Sequence, residues 1–403
     1  MRAFLPVLGC VAVAGVAFLA GCGRSNLPGE PKITGSRSDP PVELKAEWKP
    51  GYRYHLRLDM TVMTDSEANR GDDDLHTVIL GQEFSATVTN VYSNGNRRVE
   101  LEILAIEMQR SKGSQVALMY DSAMKGEVID DNGFVPALNA LIGGKVRCTV
   151  TPEGKATSVA GVPDLMKRAG VDNSVSRAIT RMVNGVMVTN PAAPATVSAA
   201  PTNRPVIRRS ATASAVRNLF TPEFFKQVVE FNYLPTNAVR VGDTWKTQRE
   251  FYFNTTVGRL MAEATTKFVG WQKQVFQEAP VNCARLQMTA ELIPQAPQPR
   301  PSSSGTNQPP KGPPPDPPFE DGALNGTIWL NPEVQFPIAR RFDQSVDYTS
   351  GRNTTVRMDG TNRVTQRFGK KLEQSMTIRL LSMTPLPGST AVTPTALEQE
   401  PSN

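Results

Sequence analysis

Histidine and cysteine are scarce in this 403-residue sequence, which contains 2 histidines and 4 cysteines. A Ser-His-Asp or Cys-His site needs a histidine that a second group orients, so His55 and His76 are the candidates for such a role. His55 lies between Arg53 and Arg57 on the polar side of an alternating segment, and His76 follows a run of aspartates. We therefore interpret both histidines as solvent-exposed side chains without a catalytic role.

Motifs for nucleophilic, nucleotide and zinc chemistry are also absent. The chain has no Gly-x-Ser-x-Gly, His-Glu-x-x-His or Cys-x-x-Cys string, no P-loop and no Gly-x-Gly-x-x-Gly. Each of these motifs places a nucleophile, a metal ligand or a phosphate-binding backbone at a fixed spacing. We therefore expect a protein that is not an enzyme and that needs no metal or other cofactor.

Two groups of acidic residues have solvated side chains as their simplest interpretation. The run Asp72-Asp73-Asp74, with Glu67 and His76 nearby, offers ligands to a divalent cation, but its spacing matches no EF-hand loop. A charged hairpin tip in water is the simpler explanation, so no metal site is predicted. Glu100 and Glu102 share one strand face, where a solvated edge is a simpler explanation than a carboxylate pair for glycoside hydrolysis.

The charge balance is mildly basic, with 44 Lys and Arg, 38 Asp and Glu, and a formal net charge of +6. An excess of this size does not indicate a nucleic-acid interface, so we expect no nucleic-acid partner. Four arginines lie in or beside a stretch rich in Pro, Ala, Ser and Thr: Arg204, Arg208, Arg209 and Arg217. A soluble linker is the simpler interpretation, and contact with anionic lipid or cell-wall polymer is the alternative.

The sequence begins with Met1-Arg2 and an apolar run over residues 4–20, which leads to Leu19-Ala20-Gly21-Cys22. An apolar run of about 17 residues is typical of a signal peptide and lies at the lower limit for spanning a bilayer. The string Leu19-Ala20-Gly21-Cys22 resembles the lipobox of prokaryotic lipoproteins, and the resemblance covers these residues alone. It implies cleavage before Cys22 and lipid, including palmitate, on that cysteine. A plain secretory signal and an uncleaved membrane helix are the alternatives.

The lipobox resemblance implies a body that lipid holds to a membrane surface. Acyl-chain burial contributes about 0.8 kcal/mol per CH₂ group, so two or three chains anchor a protein firmly. Gly23 stands where an inner-membrane retention signal usually has Asp, which in two-membrane bacteria favours the outer membrane. We therefore expect an extracytoplasmic protein of the cell envelope, with the membrane as its first partner.

Two cysteines remain in the body, because Cys10 leaves with the signal peptide and Cys22 carries the lipid. Cys148 and Cys283 can form a disulfide in an oxidising compartment. Since they lie far apart in the sequence, which does not say whether they meet, two separate buried thiols remain an alternative.

Alternating apolar and polar residues dominate the body and predict an antiparallel sheet. The clearest run has apolar residues at every second position: Tyr52, Tyr54, Leu56, Leu58, Met60 and Val62. A period of two means that one face packs on a core and the other meets water. Ser93-Asn94-Gly95-Asn96 predicts a hairpin turn, because Asn-Gly accepts positive φ. We expect a β-rich α+β fold whose antiparallel sheet is curved, with a few helices packed on one face.

Three segments predict helices. Val162-Pro163-Asp164 opens a short helix with proline in the first turn, where no N–H donor is needed. Asn173-Ser174 can cap a longer helix, since apolar residues over 175–186 recur at a spacing of 3.6. Thr221-Pro222 starts the third helix.

Composition divides the chain into segments. Stretches rich in Pro, Gly, Ser or Thr predict connections, and alternating stretches predict the folded body. The predicted order is a signal peptide (1–21), a flexible tether (22–42), a first β-rich half with helices (43–188), a disordered linker (189–214), a second β-rich half (215–383) with a Pro-rich insertion (294–321), and a disordered tail (384–403).

The two halves share an order of turn and strand signals. The matching segments are Lys49-Pro50-Gly51-Tyr52 with Arg240-Val241-Gly242-Asp243-Thr244-Trp245, and Val150-Thr151-Pro152-Glu153 with Leu330-Asn331-Pro332-Glu333. This order predicts a duplicated β-unit, and common turn chemistry is the alternative explanation. Residues 234–245 and 151–155 also loosely resemble segments of uncharacterised secreted bacterial proteins, a resemblance that implies no activity and no site residues.

Three functions fit these features. A curved sheet with helices on one side can form an apolar hollow, so the main hypothesis is a non-catalytic envelope lipoprotein that binds a partner or an apolar ligand. Candidate lining residues are Tyr52, Tyr54, Phe224 and Phe225. An assembly component that holds other envelope proteins through a sheet edge or the Pro-rich arm is the alternative. A hydrolase acting on envelope polymers is the third and needs a cleft with convergent acidic or nucleophilic groups.

Overall fold

The structure is a computed structural model, and it describes residues 31–66, 75–124, 129–130, 134–171, 181–183, 186–188, 216–252, 259–294, 319–356 and 363–388. The strands are β1 Tyr52–Ser66, β2 His76–Val91, β3 Arg97–Lys112, β4 Gln115–Asp121, β5 Ile129–Asp130, β6 Lys145–Val150, β7 Ala156–Ala160, β8 Arg181–Val183, β9 Val186–Val188, β10 Thr244–Tyr252, β11 Arg259–Phe276, β12 Ala279–Pro294, β13 Phe319–Asn331, β14 Phe336–Val356 and β15 Arg363–Pro385. The helices are α1 Val135–Leu141, α2 Val162–Arg168 and α3 Pro222–Val229.

Thirteen strands form one antiparallel sheet. Its order is β10-β11-β12-β13-β14-β15-β1-β2-β3-β4-β5, and β6 and β7 continue it from β3. Because β15 pairs with β1, the two predicted β-rich halves share a single sheet. The predicted class, a β-rich α+β fold with an antiparallel sheet and a few helices, is confirmed.

Strand β1 has the predicted alternation. Tyr54, Leu56, Leu58 and Met60 are buried, and the residues between them are more exposed. Directly opposed residues of antiparallel strands share a face, so the register of β1 with β2 and β15 continues the buried face across the sheet. We call this buried side the inner face and the opposite side the outer face.

The sheet is curved. β-Bulges, which bend and twist a strand, interrupt the ladders at Glu83/Phe84, Phe268/Gly270 and Trp329/Leu330. Helix α3 contacts β6 and β7 at one end of the sheet and β10 at the other. The two ends therefore approach each other around α3, and the inner face lies inside the curve.

Residues 31–48 form an N-terminal strap against the edge of the sheet. The N–H of Thr34 donates to the C=O of Trp271 at 2.8 Å, and the N–H of Trp271 donates to the C=O of Thr34 at 2.7 Å. Val42 and Val239 exchange a second pair of bonds at 2.8 and 2.9 Å. The sequence assigns residues 31–42 to the flexible tether, whereas backbone pairing, which needs no particular composition, places them on the body.

Aromatic side chains fill the inner face beside α3. Trp48 and Phe231 stack with ring centroids 5.6 Å apart, and the Phe336 ring meets them edge-on at 4.9 and 5.0 Å. The Tyr54 ring lies 4.8 Å from that of Trp48. Trp48 Nε1 also donates to the C=O of Val229 at 3.0 Å. These contacts join the strap, β1, β14 and α3 in one core.

Two of the three predicted helices begin where the sequence indicates. Helix α2 begins at Val162, and α3 begins at Pro222. The Thr221 hydroxyl accepts a hydrogen bond from the N–H of Phe224 at 3.1 Å and so caps α3. Helix α1 was not predicted. The turn predicted between β2 and β3 is present, and Gly95 in it has a φ of 82°.

The third predicted helix, over residues 175–186, is wrong where the structure describes that segment. Arg181–Val183 and Val186–Val188 are antiparallel strands with Val183 opposite Val186. Asn184-Gly185 separates them in the sequence, and Asn-Gly strongly favours a two-residue hairpin connection. Turn chemistry therefore overrides the helical spacing of the apolar residues.

The strand order repeats in part. β1, β2, β3 and β6 form consecutive antiparallel pairs, and so do β10, β11, β12 and β13. A glycine with positive φ precedes each series: Gly51 at 79° and Gly242 at 95°. This is the order of elements that the repeated sequence signals predict.

Candidate functional site

The inner face is apolar on strands from both halves of the sheet. Its buried residues outside β1 include Leu80 and Phe84 on β2, Leu286, Met288 and Leu292 on β12, Phe342 and Val346 on β14, and Leu372, Met376 and Ile378 on β15. Met60, Met288 and Met376 contribute flexible thioether side chains, which adapt to apolar shapes better than branched residues do.

Gln82 interrupts this apolar face. It stands directly opposite Leu58 of β1 and Ile106 of β3, so its side chain lies on the inner face. Gln82 is 1% exposed. Neither its Nε2 nor its Oε1 has a hydrogen-bond partner among the described residues. A buried polar group left without a partner costs about 1–3 kcal/mol, so a ligand's polar group at Gln82 would recover free energy.

A second polar position lies toward the β14–β15 turn. Gln344 on β14 stands opposite Gln374 on β15. Gln344 is 5% exposed, and its Nε2 has no hydrogen-bond partner within the described part of the chain. Gln374 Nε2 contacts the sulfur of Met60 at 3.4 Å. Gln82 and Gln344 are therefore two buried amides on a mainly apolar face.

A polar pocket of about 150 Å³ lies between α3, β7 and the β10–β11 hairpin. Its lining residues are Lys155, Ala156, Glu223, Lys226, Gln227, Glu230, Asn232, Gln248, Glu250 and Met261. These described residues include no histidine, cysteine or serine, so they form no nucleophile–histidine pair. The pocket carries charges of both signs and differs in this from the inner face.

Glu230 is the most buried charged group of that pocket. Its carboxylate accepts a hydrogen bond from the N–H of Ala156 at 3.1 Å. Burial raises the pKa of Glu230, and the positive charges of Arg249, Lys226 and Lys155 act in the opposite direction. Because burial has the largest effect, the carboxyl of Glu230 is protonated more readily in the folded protein than the same group is in water.

Arg340 lies under the same helix end. Although it is 2% exposed, Nη1 donates to the C=O of Glu230 at 2.7 Å and Nη2 donates to the C=O of Val228 at 2.6 Å. Its guanidinium lies 5.2 Å from the centre of the Phe231 ring. The last carbonyls of a helix have no partner inside the helix, so Arg340 completes the C-terminal end of α3.

His55 lies on the outer face, whereas His76 lies at the exposed start of β2, opposite Thr64. His76 is exposed, and His55 is partly exposed, with Nε2 2.9 Å from Glu83 Oε2. The carboxylates of Glu100 and Glu102 both approach Lys145 Nζ, at 2.8 and 3.6 Å. The hydrogen bond from Lys145 lowers the pKa of Glu100. These acids therefore belong to an ion-pair network.

The described part of the chain brings no set of metal ligands together. Among the residues that the structure describes, no group of three His, Cys, Asp or Glu side chains could hold a metal ion. Glu67 and the run Asp72-Asp73-Asp74 lie outside the described residues.

Cys148 and Cys283 are separate, buried free thiols. Cys148 is on β6, which pairs with β3 and β7, whereas Cys283 is on β12 between β11 and β13. The disulfide that the sequence allowed between Cys148 and Cys283 is therefore absent, because the two strands lie in different parts of the sheet. Burial raises the pKa of each thiol to about 12, so neither is a reactive nucleophile at neutral pH.

The aromatic lining candidates belong to the packed core. Tyr54, Phe224 and Phe225 are buried, and Tyr52 is half-buried against the same core. The hydroxyl of Tyr54 accepts a hydrogen bond from the N–H of Lys49 at 2.6 Å. These side chains therefore pack in the core and do not line a ligand site.

Several candidates from the sequence cannot be placed on the sheet. Cys22 with the rest of the lipobox, and Arg204, Arg208 and Arg209, lie outside the described residues, while Arg217 lies just before α3. No helix within the described ranges combines the length and the apolar composition needed to cross a bilayer.

Gln82 and Gln344 are the candidates that the sequence did not single out. Each occupies an apolar position of an alternating strand, between Leu80 and Phe84 in one case and between Phe342 and Val346 in the other. A polar residue at an apolar position of a strand was the available signal.

Comparisons with known proteins add weak structural similarity. No protein-family model and no curated protein matches the sequence. Among solved structures, the chain is similar to one titled "Lipid-protein interactions in lipovitellin", at 10% identity and a TM-score of 0.42. The match covers 86% of this chain and 27% of that chain, so this chain spans about a quarter of that protein's length. A similarity of this size carries no argument about function.

Proposed function

We propose that this protein is a lipid-anchored, non-catalytic binding protein of the bacterial cell envelope. Its ligand is an apolar molecule with a hydrogen-bonding group, and it binds at the inner face of the sheet. The buried amide of Gln82, without a partner among the described residues, carries this proposal.

The position of Gln82 supports this ligand class. Leu58 and Ile106 flank it on the neighbouring strands, and Leu80 and Phe84 flank it along β2. These side chains are already buried, so the gain in free energy comes from the apolar surface of the ligand itself, at about 25 cal/mol per Å² removed from water. One polar group of the ligand then satisfies the amide and fixes the orientation of the ligand.

The test uses the body exported in soluble form as Cys22→Ala, with its bound small molecules identified by native mass spectrometry and lipid extraction. We expect the parent to carry an apolar ligand and Gln82→Leu to lose most of it. Gln109→Leu on the outer face of β3 is the matched control, because it makes the same change on a partly exposed side chain. The control should keep the ligand.

Thermal unfolding distinguishes a binding residue from a core defect. If Gln82 were only a strained core residue, Gln82→Leu would raise the unfolding temperature and leave the ligand content unchanged. That result, or a parent protein without any apolar ligand, would contradict the proposed binding. A protein found in place of a small molecule would favour the assembly role.

The anchor is a separate part of the proposal. The order of basic start, apolar run, small residues and Cys22 supports lipidation at that cysteine. Gly23 supports sorting to the outer membrane in a two-membrane host. We expect labelled palmitate to enter the parent protein and not the Cys22→Ala variant. Label retained by the variant would remove the anchor from the proposal.

A further inference from the structure

We propose that one end of the body rests on the lipid leaflet: the start of the N-terminal strap, residues 31–34, together with the β11–β12 turn, residues 273–280. This inference rests on the proposed anchoring at Cys22 and names the surface that faces the membrane. Three observations support it: the length of chain between lipid and body, the attachment point of that chain, and the side chains exposed there.

The chain between the lipid and the body is short. Nine residue steps separate Cys22 from Pro31, the first described residue. A chain extends at most by about 3.4 Å per residue, so Pro31 lies within about 30 Å of the lipid-bearing cysteine. The tether predicted from the sequence, ending at residue 42, would have allowed more than twice that reach.

The strap contacts the body from Pro31 onward. Gln272 Nε2 donates to the C=O of Pro31 at 2.9 Å, and Gln272 Oε1 accepts a hydrogen bond from Trp329 Nε1 at 2.6 Å. Thr34 and Trp271 then exchange two backbone bonds. The chain that leads to the lipid therefore joins the body near the end of β11 that precedes the β11–β12 turn.

If β11 and β12 point away from the bilayer, the far end of this hairpin lies too far from the lipid to contact the membrane. In the ladder, Val275 stands opposite Pro280, and β12 then runs on to Ile293 near its other end. Thirteen residues of strand at about 3.3 Å each place Ile293 about 40 Å from the turn. That separation exceeds the length of the chain that leads to Cys22.

The exposed side chains at the attachment end suit a lipid headgroup region. Val275 is 74% exposed and Ile33 is 39% exposed, and both are apolar. Lys32 and Lys273 are exposed beside them, and Glu278 is the acidic residue of the turn. Apolar side chains flanked by lysines favour shallow contact with anionic lipid.

The test measures depth at two ends of one hairpin. Val275→Cys and Ile293→Cys, exposed aliphatic positions on β11 and β12, each receive an environment-sensitive fluorophore in the lipidated full-length protein. The protein is reconstituted into vesicles of phosphatidylcholine and phosphatidylglycerol that carry nitroxide-labelled lipid. Flotation of the vesicles is measured first, and quenching of the fluorophore second.

We expect the protein to float with the vesicles and the label at 275 to be quenched at least about threefold more than the label at 293, because shallow insertion reaches only ~5–10 Å. Flotation with equal quenching at both sites, or with stronger quenching at 293, overturns the orientation and leaves the anchor intact. Failure to float overturns the anchor and this inference with it.

Discussion

A single buried cation completes the end of helix α3. Arg340 replaces the water that would otherwise bind the carbonyls of Val228 and Glu230, and its side chain is almost fully enclosed. The guanidinium is suited to this role because its fork of donors reaches two acceptors at once, whereas the ammonium of lysine is a point charge. Strand β14 therefore fixes the position of the helix that joins the two ends of the sheet.

Replacing Arg340 by Met should lower the free energy of unfolding by about 2–4 kcal/mol, because two buried carbonyls lose their partner. The neighbouring Arg341 is the control, since its side chain is 53% exposed and pairs with Asp343. Arg341→Met should cost less than about 1 kcal/mol. Urea unfolding followed by tryptophan fluorescence measures both values. Equal effects of the two substitutions would contradict the structural role of Arg340.

Glu230 predicts a pH dependence of stability. Burial raises its folded-state pKa above the ordinary value of 4.5, so the folded protein holds a proton more tightly than the unfolded chain does. The stability that Glu230 contributes is therefore fully present below pH 4.5 and is lost as the pH rises through the folded pKa. Arg249, Lys226 and Lys155 limit this shift.

Glu230→Gln should remove that pH dependence. The free energy of unfolding of the variant, relative to the parent, is expected to increase as the pH rises from 4.5 toward neutrality. Denaturant unfolding at a series of pH values measures the difference. Glu250→Gln, at an exposed position of the same pocket, is the control for the loss of one charge. A relative stability that falls with pH would mean that the folded protein prefers the carboxylate.

At the scale of elements, the sequence predicts what depends on local signals. The alternation of β1, the Asn-Gly turn before β3 and the Thr221-Pro222 start of α3 are all local, and each is present. Residues 181–188 carried a helical spacing and an Asn-Gly turn signal together, and the turn signal decided the structure. Docking of the strap has no local signature, because it depends on a backbone edge that β11 supplies.

Gly270 makes room for the strap. Its φ is 146°, a conformation that side chains disfavour, and a Cβ there would collide with the C=O of Thr34. Gly270→Ala should therefore detach residues 31–34 and cost about 1–3 kcal/mol. Hydrogen exchange at the N–H groups of Thr34 and Trp271 reports the loss of their bonds.

Gly388 is the control that distinguishes backbone strain from a steric collision of the new Cβ. It also has positive φ, 77°, but a Cβ there meets nothing within 4 Å. Gly388→Ala should leave exchange at Thr34 and Trp271 unchanged. Protection of these two N–H groups that survives in Gly270→Ala would show that the strap does not depend on the glycine.

At the scale of the whole molecule, the sequence could not reveal that its two β-rich halves form one sheet. The join between them is the pairing of β15 with β1, which brings together residues such as Leu58 and Ile378 from opposite ends of the chain. Such long-range pairing leaves no trace in composition or periodicity. For the same reason the position of Gln82 on a shared inner face became visible only in the fold.

One sheet implies one cooperative unit. Ile378 is 2% exposed and stands between Leu58 on β1 and Arg340 on β14, so it contacts both halves at the join. Ile378→Ala should lower the free energy of unfolding by about 2–5 kcal/mol, since it leaves a cavity in the core. Hydrogen exchange with mass spectrometry in urea should then show the same shift for peptides of β2 and of β12. If the halves were independent domains, β15 would belong to the second one, and the β12 peptides would shift while those of β2 kept the parent midpoint.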